Sequence, residues 1–371
     1  MKLKKVLSMV LCGVLALSLL AGCGNSDGNS GQTQEQGETE DAASDQAADE
    51  GQETEDAKAD DAEQADDAGQ ADDAEAVTLN LAYQYGLAYA PLVIVQEQKL
   101  IENAYEEATG KKVTVTWNQM SSGADINTGI SGGSLDAGFM GVGPAVTGVM
   151  KGVGYKIFTN LSGQEHGLMT NDESIQSFDD LIGSSKQIAL VNIGSIQHVL
   201  LALALENAGY DPHALDANIV AMAHPDGMAA LESGNVACHL TSSPYIFKER
   251  EEANLHEIKD VSDAWGAEES FIVGVASEKI HDENPELYQA LCDAIEKAVA
   301  FMNESPEEAA KLTCEFDGNS EQEELAYIEK SNYTIETKGV FELASFMAKT
   351  EFIETAPGSY EDLVFDNVSG D

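Results

Sequence analysis

Arginine occurs once in the 371 residues, as Arg250, and 19 basic residues stand against 66 acidic ones, for a formal net charge of −47. A surface this negative repels nucleic-acid phosphates and anionic lipid, so we expect no nucleic-acid partner and no direct docking of the folded part on anionic lipid. Enzyme signatures are missing too, because the seven histidines are scattered and no HExxH, GxSxG or phosphate-cradling Gly-Lys pattern occurs. We therefore expect no enzyme, no metal site and no cofactor.

Cysteine is scarce in the folded part. Cys238, Cys292 and Cys314 show neither CxxC spacing nor clustering, so the sequence favours neither a zinc site nor a disulfide framework. Cys292 and Cys314 could pair with each other, but we expect buried free thiols.

The N-terminus has the pattern of a secretion leader. Lys2, Lys4 and Lys5 precede an apolar run over residues 6–21 that is too short and too interrupted for a spanning helix. It ends in Leu-Ala-Gly-Cys23, which resembles the lipobox of bacterial lipoproteins. That resemblance implies a signal peptide over 1–22, removed before Cys23, and acylation of the Cys23 sulfur, palmitate included, which anchors the chain at the extracytoplasmic face of the cell membrane. The alternative is an uncleaved anchor.

An acidic segment follows the leader. Residues 31–76 contain 18 Asp or Glu, a single Lys58 and no aromatic residue. Such a composition cannot bury a core, and its charges repel one another. We predict that residues 23–76 form a disordered stalk; a specific acidic binding tail is the alternative.

From residue 77 onward the pattern is α/β. Alternating or continuous apolar runs predict strands over 77–83, 113–117, 136–140, 155–161, 188–192, 217–222, 236–240 and 271–276. Helical spacing predicts helices over 91–108 and 196–208, and an almost wholly helical region after residue 284, with helices over 285–303, from 306, over 321–332 and over 339–349.

One internal similarity indicates two related halves. Residues 130–144 resemble residues 231–244: each reads as a helix end, a glycine turn at Gly133 or Gly234, a short strand, and a loop of small residues leading to a proline. Duplicated units of this kind would each present an equivalent loop at the carboxyl end of a strand, where open α/β sheets bind ligands. A chance likeness of two helix–turn–strand units is the alternative.

Four stretches together resemble a known family. They begin with the Tyr-Gln-Tyr-Gly run from Tyr83 to Pro91 and continue with residues 133–145, 194–212 and 242–245. Their order resembles the substrate-binding proteins of ABC importers of the nitrate, sulfonate and taurine type, which also include binders of thiamine-precursor pyrimidines. Two departures leave the ligand open: Ala237 stands where an acidic residue is common, and Ser242-Ser243-Pro244 replaces a Trp-Glu-Pro-like loop.

The resemblance implies a type II-like periplasmic-binding-protein fold of two lobes joined by two chain crossings. We place the crossings near 163–167 and 271–277, so that residues 77–165 and 275–371 form one lobe and 166–274 the other. It further implies a monomer that delivers a small-molecule solute to ABC permease and ATPase subunits.

The strand-to-helix junction at Gly194 is the strongest candidate for the solute site. Gly194 permits a tight turn and Ser195 can cap a helix whose free amides favour an anionic or electron-rich group. Tyrosines can stack on a solute and small residues let the backbone approach it. The candidate ligand-binding residues are Gln84, Tyr85, Gly86, Tyr89, Gly141, Gly143, Pro144, Gly194, Ser195, Ile196, Gln197, His198, His224, Ser242, Ser243 and Tyr245.

With no arginine available, the pocket suits either a singly charged sulfonate-like group or a neutral heteroaromatic ring, and the sequence does not choose between them. His224 could reach the cleft or be a structural histidine. The predicted function is capture of a small organic solute by lobe closure. The alternatives are an enzyme on the same scaffold, related to pyrimidine or thiamine-precursor synthesis, and a surface interaction module without a transport role.

Overall fold

The computed structural model describes residues 77–371. The predicted signal peptide, the lipidation site Cys23 and the acidic stalk lie outside these residues. The described strands are β1 (Val77–Tyr83), β2 (Val113–Gln119), β3 (Ala137–Gly141), β4 (Tyr155–Ser162), β5 (His166–Thr170), β6 (Ile188–Leu190), β7 (Ile219–Ala221), β8 (Cys238–Ser242), β9 (His256–Ile258) and β10 (Ile272–Ser277). All eight predicted strands are confirmed, with ends that shift by one or two residues.

The strands form two five-stranded sheets of the same plan. The first has the order β2-β1-β3-β10-β4 and the second the order β7-β6-β8-β5-β9. In the first sheet β1 is parallel to β2 and β3, and β10 is antiparallel to β3 and β4. In the second, β6 is parallel to β7 and β8, and β5 is antiparallel to β8 and β9. The α/β fold predicted from the sequence is therefore confirmed.

Helices cover the sheets. They are α1 (Ala90–Glu97), α2 (Leu100–Thr109), α3 (Gly123–Ser131), α4 (Val142–Met150), α5 (Ile196–Asn207), α6 (His224–Glu232), α7 (Tyr245–Glu251), α8 (Glu278–Glu283), α9 (Pro285–Glu304), α10 (Pro306–Asp317), α11 (Glu321–Ile328) and α12 (Val340–Lys349). The single helix predicted over 91–108 is two helices, because Lys99 adopts a left-handed conformation (φ 51°) between α1 and α2. Among residues 77–371 no helix combines the length and the apolar character needed to cross a membrane.

The internal similarity corresponds to equivalent structure. The units α3–β3 and α6–β8 each join helix to strand through a glycine with positive φ, Gly133 at 71° and Gly234 at 74°. β3 and β8 both occupy the central position of their sheets. The loops that follow β3 and β8 therefore lie at equivalent positions, each at the carboxyl end of the central strand of its own sheet.

Two strands escaped prediction. β5 (His166–Thr170) is buried at every position, so it shows no alternation, and β9 (His256–Ile258) is only three residues long. Both lie on the antiparallel side of the second sheet, where pairing with β8 and β5 supplies the order that the local sequence does not.

The chain passes between the sheets twice. The first passage lies between β4 and β5, at residues 163–165, inside the predicted range 163–167. The second lies between β9 and β10, at residues 259–271, and the prediction of 271–277 was wrong. β10 pairs along its length with β3 and β4 of the first sheet, so the chain has already crossed when β10 begins. The lobe boundaries stay a prediction, with the second one moved ahead of Ile272.

Each sheet has apolar residues packed against it. Leu79 and Leu81 of β1 are fully buried, as are Leu291 and Ile295, one turn apart on α9. A smaller cluster under the second sheet includes Phe178 and Leu240. Cys238, Cys292 and Cys314 are free thiols, and burial raises the pKa of each.

Candidate functional site

A small cavity lies between the two sheets and is lined by residues from both. Its lining residues are Gln84, Tyr85, Ala88, Tyr89, Ser121, Gly123, Gly141, Pro144, Val191, Ser195, Ile196, Gln197, His224, Ser242, Phe271 and Ile272. The cavity volume is about 30 Å³, which accommodates roughly two water molecules. A larger solute enters this cavity only if the surrounding elements move apart.

The start of α5 forms one wall. Gly194 adopts φ 83°, and Ser195 follows as the N-cap, its Oγ accepting a hydrogen bond from the amide of His198 at 3.3 Å. The amides of Ile196 and Gln197 precede the first intrahelical hydrogen bond and have no acceptor within the helix. The predicted capped helix start is present, with two amides available beside the cavity.

Three further helices begin at the cavity. Gly123 is the first residue of α3, Gly141 is the N-cap of α4, and His224 is the first residue of α6. The N-terminus of a helix carries a partial positive charge because its first N–H groups point outward. Four helix N-termini around one small cavity favour an anionic or hydrogen-bond-accepting group there.

The cavity wall contains no lysine, arginine, aspartate or glutamate. Arg250, the only arginine, forms ion pairs with Glu165 and Glu257 instead. Any negative charge in the cavity is therefore stabilised by helix N-termini, amides and neutral side chains rather than by a cationic residue.

The tyrosines at the cavity play different parts. The hydroxyl of Tyr89 donates a hydrogen bond to Gln84 Oε1 at 3.2 Å, and both side chains are buried. Tyr85 remains 37% exposed. Tyr85 is therefore the more accessible of the two tyrosines for contact with a solute.

The elements of the two sheets touch across the cavity. The amide of Leu87 donates to the carbonyl oxygen of Ser243 at 3.3 Å. Gly141 faces Ile196 so closely that a Cβ on this glycine would lie 2.7 Å from Ile196 Cγ2. The structure therefore represents a closed arrangement of the two halves.

Ten of the sixteen predicted site residues line the cavity: Gln84, Tyr85, Tyr89, Gly141, Pro144, Ser195, Ile196, Gln197, His224 and Ser242. The other six, Gly86, Gly143, Gly194, His198, Ser243 and Tyr245, do not line it. Gly86 and Ser243 instead form the contact between the halves, and Tyr245 stacks behind His224 with ring centroids 5.6 Å apart.

His198 points away from the cavity because both of its ring nitrogens have partners elsewhere. Nδ1 accepts from the amide of Gly194 at 3.0 Å, and Nε2 lies 2.9 Å from Asp216 Oδ1. Burial lowers the pKa of His198. His198, one of the predicted ligand-binding residues, therefore does not face the cavity in this arrangement.

His198, His213 and Asp216 lie close enough together to be considered as a metal site. Since Nδ1 of His198 accepts a hydrogen bond, its proton resides on Nε2, which then donates to Asp216 and offers no lone pair to a cation. His213 Nε2 lies 2.7 Å from the carbonyl oxygen of Thr350 and its Nδ1 lies 2.9 Å from Asp216 Oδ2, and these acceptors raise the pKa of His213. The cluster is accounted for by hydrogen bonding within the protein.

Sequence reasoning missed six lining residues: Ala88, Ser121, Gly123, Val191, Phe271 and Ile272. Ser121 and Gly123 lie in the loop and first turn after β2, the same strand-to-helix position that identified Gly194. This signal could have found them. Phe271 is the last residue of the second chain passage and Ile272 is the first residue of β10, and no local sequence pattern indicates that either reaches the cavity.

Comparisons with known proteins agree with this architecture. The taurine-binding periplasmic protein of Escherichia coli strain K12 is 26% identical to this chain over 218 residues, which cover 58% of this chain and 63% of that protein's length. The periplasmic aliphatic sulphonate binding protein of Escherichia coli superposes with a TM-score of 0.60 at 18% identity, over 79% of this chain and 93% of that one.

The alkanesulfonate-binding protein of Xanthomonas axonopodis pv. citri, bound to MOPS, superposes with a TM-score of 0.62 at 14% identity, over 80% of this chain and all of that one. At these identities the solved structures show the shared fold. The model of the NMT1-like family matches residues 72–316. The match covers more than half of the 371 residues of this chain, and the chain therefore belongs to the NMT1-like family.

Proposed function

We propose that this protein is the extracytoplasmic solute-binding component of an ABC importer and is not an enzyme. The observation that carries the proposal is a cavity lined mainly by loops at the carboxyl ends of strands from both sheets and closed by direct contacts between them. A solute that touches both halves stabilises a closed arrangement, widened enough to hold the solute, by contacts that an open one lacks. Recognition of the closed form by permease and ATPase subunits would then couple capture to import.

We propose a small singly charged organic anion, sulfonate-like in shape, as the solute. The converging N-termini of α3, α4, α5 and α6, with no acidic residue in the cavity wall, favour an anion over a neutral ring. The similar proteins named for taurine and alkanesulfonate support the same class. The neutral heteroaromatic ring, which the sequence left open, is the contrasting ligand in the test.

Mass spectrometry of small molecules released from the purified protein, followed by calorimetric titration, tests the proposal. We expect saturable binding of a simple alkanesulfonate such as ethanesulfonate and none of a neutral pyrimidine. Binding of the pyrimidine alone would replace the proposed ligand class. If no small molecule were released from the purified protein and no added solute bound to it, the solute-binding role would be contradicted.

We further propose that the protein is a monomer held at the outer face of the cell membrane by lipid on Cys23, with residues 24–76 as a spacer. The Leu-Ala-Gly-Cys pattern and the 18 acidic residues of 31–76 support this arrangement.

Cys23→Ser is expected to abolish acylation and to move the protein from the membrane fraction to the soluble fraction. Metabolic labelling with a palmitate analogue and fractionation of cells measure both effects. Cys238→Ser serves as the matched control because Cys238 is a buried thiol of the folded part. Retention of Cys23→Ser in the membrane fraction would indicate an uncleaved anchor instead.

A further inference from the structure

A chain of buried polar side chains leads from the interior of the second half to the cavity. Glu249 Oε1 on α7 lies 2.6 Å from His239 Nδ1 on β8, and His239 Nε2 lies 3.3 Å from His224 Nδ1 at the start of α6. His224 Nε2 reaches the cavity wall, 3.0 Å from Gln197 Nε2 and 3.4 Å from Ser242 Oγ. Glu249 and His239 are wholly buried and His224 is 5% exposed.

We propose that Glu249 and His239 are positioning residues that fix the tautomer of His224, so that His224 presents an Nε2–H donor to the cavity and selects a hydrogen-bond-accepting oxyanion. This inference rests on the proposed solute-binding function and names the group that distinguishes an acceptor ligand from a donor ligand in the same cavity.

Glu249 is protonated at neutral pH. Its Oε2 has no hydrogen-bond partner among residues 77–371, and no lysine or arginine side chain pairs with it. A buried carboxylate in such surroundings is costly, so the carboxyl group keeps its proton. Burial, assisted by the nearby charge of Glu232, raises the pKa of Glu249 to about 9, and burial lowers the pKa of His239 and His224 to about 3.

The proton on Glu249 fixes which atom donates in each hydrogen bond from Glu249 through His239 to His224. Wherever the shared proton sits between Glu249 Oε1 and His239 Nδ1, the remaining hydrogen of His239 is on Nε2. That hydrogen is donated to His224 Nδ1, which therefore acts as an acceptor. A neutral His224 must then carry its own hydrogen on Nε2, facing the cavity.

The residues beside His224 and His239 are compatible with a hydrogen on His224 Nε2. Without a solute, the single Nε2–H of His224 can be donated to Ser242 Oγ or, with the Gln197 amide turned by 180°, to the Gln197 oxygen. An oxyanion in the cavity would take the place of that internal acceptor. Gly227 leaves space for the His239 ring, since a Cβ at this position would lie 2.5 Å from His239 Nε2.

Loss of the proton from Glu249 reverses the donor and acceptor roles in both hydrogen bonds, Glu249–His239 and His239–His224. The carboxylate then accepts from His239 Nδ1, His239 Nε2 accepts from His224 Nδ1, and a lone pair of His224 Nε2 faces the cavity, where it repels an oxyanion. The other titratable groups that face the chain are Glu232 of α6 and Tyr245 of α7; burial raises the pKa of Tyr245, so this tyrosine stays neutral throughout. Oxyanion affinity should therefore be constant near neutral pH and fall as the pH rises through about 9.

Nitrogen-15 NMR of the imidazole rings in the solute-free protein tests the chain without any ligand. At pH 7 we expect His224 and His239 both to carry hydrogen on Nε2, and both to change to Nδ1 on titration above pH 9. Glu249→Gln, which cannot ionise, should abolish that change. A His224 that carries hydrogen on Nδ1 at pH 7 would overturn the proposal.

Titration with ethanesulfonate as the probe tests the consequence for binding. His224→Leu should weaken ethanesulfonate binding about 10- to 100-fold, the usual range for loss of a hydrogen bond to a charged group. His224→Gln keeps a donor at the position of Nε2 and should remain within about 3-fold of the wild type. Equal losses in both variants would overturn the donor role. A wild-type protein that binds no sulfonate would contradict the proposed solute class, while the NMR experiment still decides the direction of the chain.

Discussion

Gly141→Ala is expected to weaken solute binding by roughly 10- to 100-fold while leaving the protein folded. The new Cβ would lie 2.7 Å from Ile196 Cγ2 and 2.9 Å from Ile196 Cβ across the cavity. Overpacking of this kind costs about 1–3 kcal/mol, which corresponds to that loss of affinity if only the closed form carries the contact. Isothermal titration measures the affinity, and circular dichroism verifies the fold.

Ile196→Ala offers a matched rescue. Combined with Gly141→Ala it removes Ile196 Cγ2, the atom nearest to the new methyl group at 2.7 Å, while Cβ at 2.9 Å remains. The double variant should therefore recover part of the lost affinity. A double-mutant cycle isolates this coupling between the two halves. Additive losses in the double variant would show that the Gly141–Ile196 approach does not limit closure.

Gly163→Ala is expected to lower the free energy of unfolding by about 3 kcal/mol, near the upper end of overpacking effects. Gly163 lies in the first chain passage, and a Cβ there would overlap the carbonyl oxygen of Ala267 and lie 2.7 Å from that of Glu269 in the second passage. Backbone atoms cannot rotate away as a side chain can. Urea unfolding measures the loss.

Gly358→Ala is the control for this prediction. Its Cβ would approach only the exposed side-chain oxygen Asp362 Oδ2, at 3.0 Å, which would have to shift by a few tenths of an ångström while still accepting from the amides of Gly358 and Ser359. We expect a change below about 0.5 kcal/mol, as for ordinary surface substitutions. Equal stability losses in the two variants would contradict the close packing of the two chain passages.

Much of the fold follows from local sequence. The alternation of residues 77–83 and the capped start at Ser195 specify β1 and α5 directly. The repeated glycine turns at Gly133 and Gly234 identified the two equivalent helix–strand units. β9, with three residues, and β5, buried throughout, depend on pairing with distant strands and leave no periodic signal.

The site was less accessible to sequence reasoning because it depends on helix rotation and on contacts distant in sequence. Gln197 and His198 are neighbours in the first turn of α5, yet about 100° of rotation separates their side chains. Gln197 therefore faces the cavity while His198 faces Asp216. The Glu249–His239–His224 chain joins residues of three elements, and no spacing in the sequence announces it.

Small-angle X-ray scattering of the purified protein, with and without a solute shown to bind, tests the central claim that the two halves close on a shared ligand. We expect the radius of gyration to fall when the solute is added, and the contraction to be reduced in Gly141→Ala. An unchanged scattering profile on saturation of the wild type would contradict capture by closure.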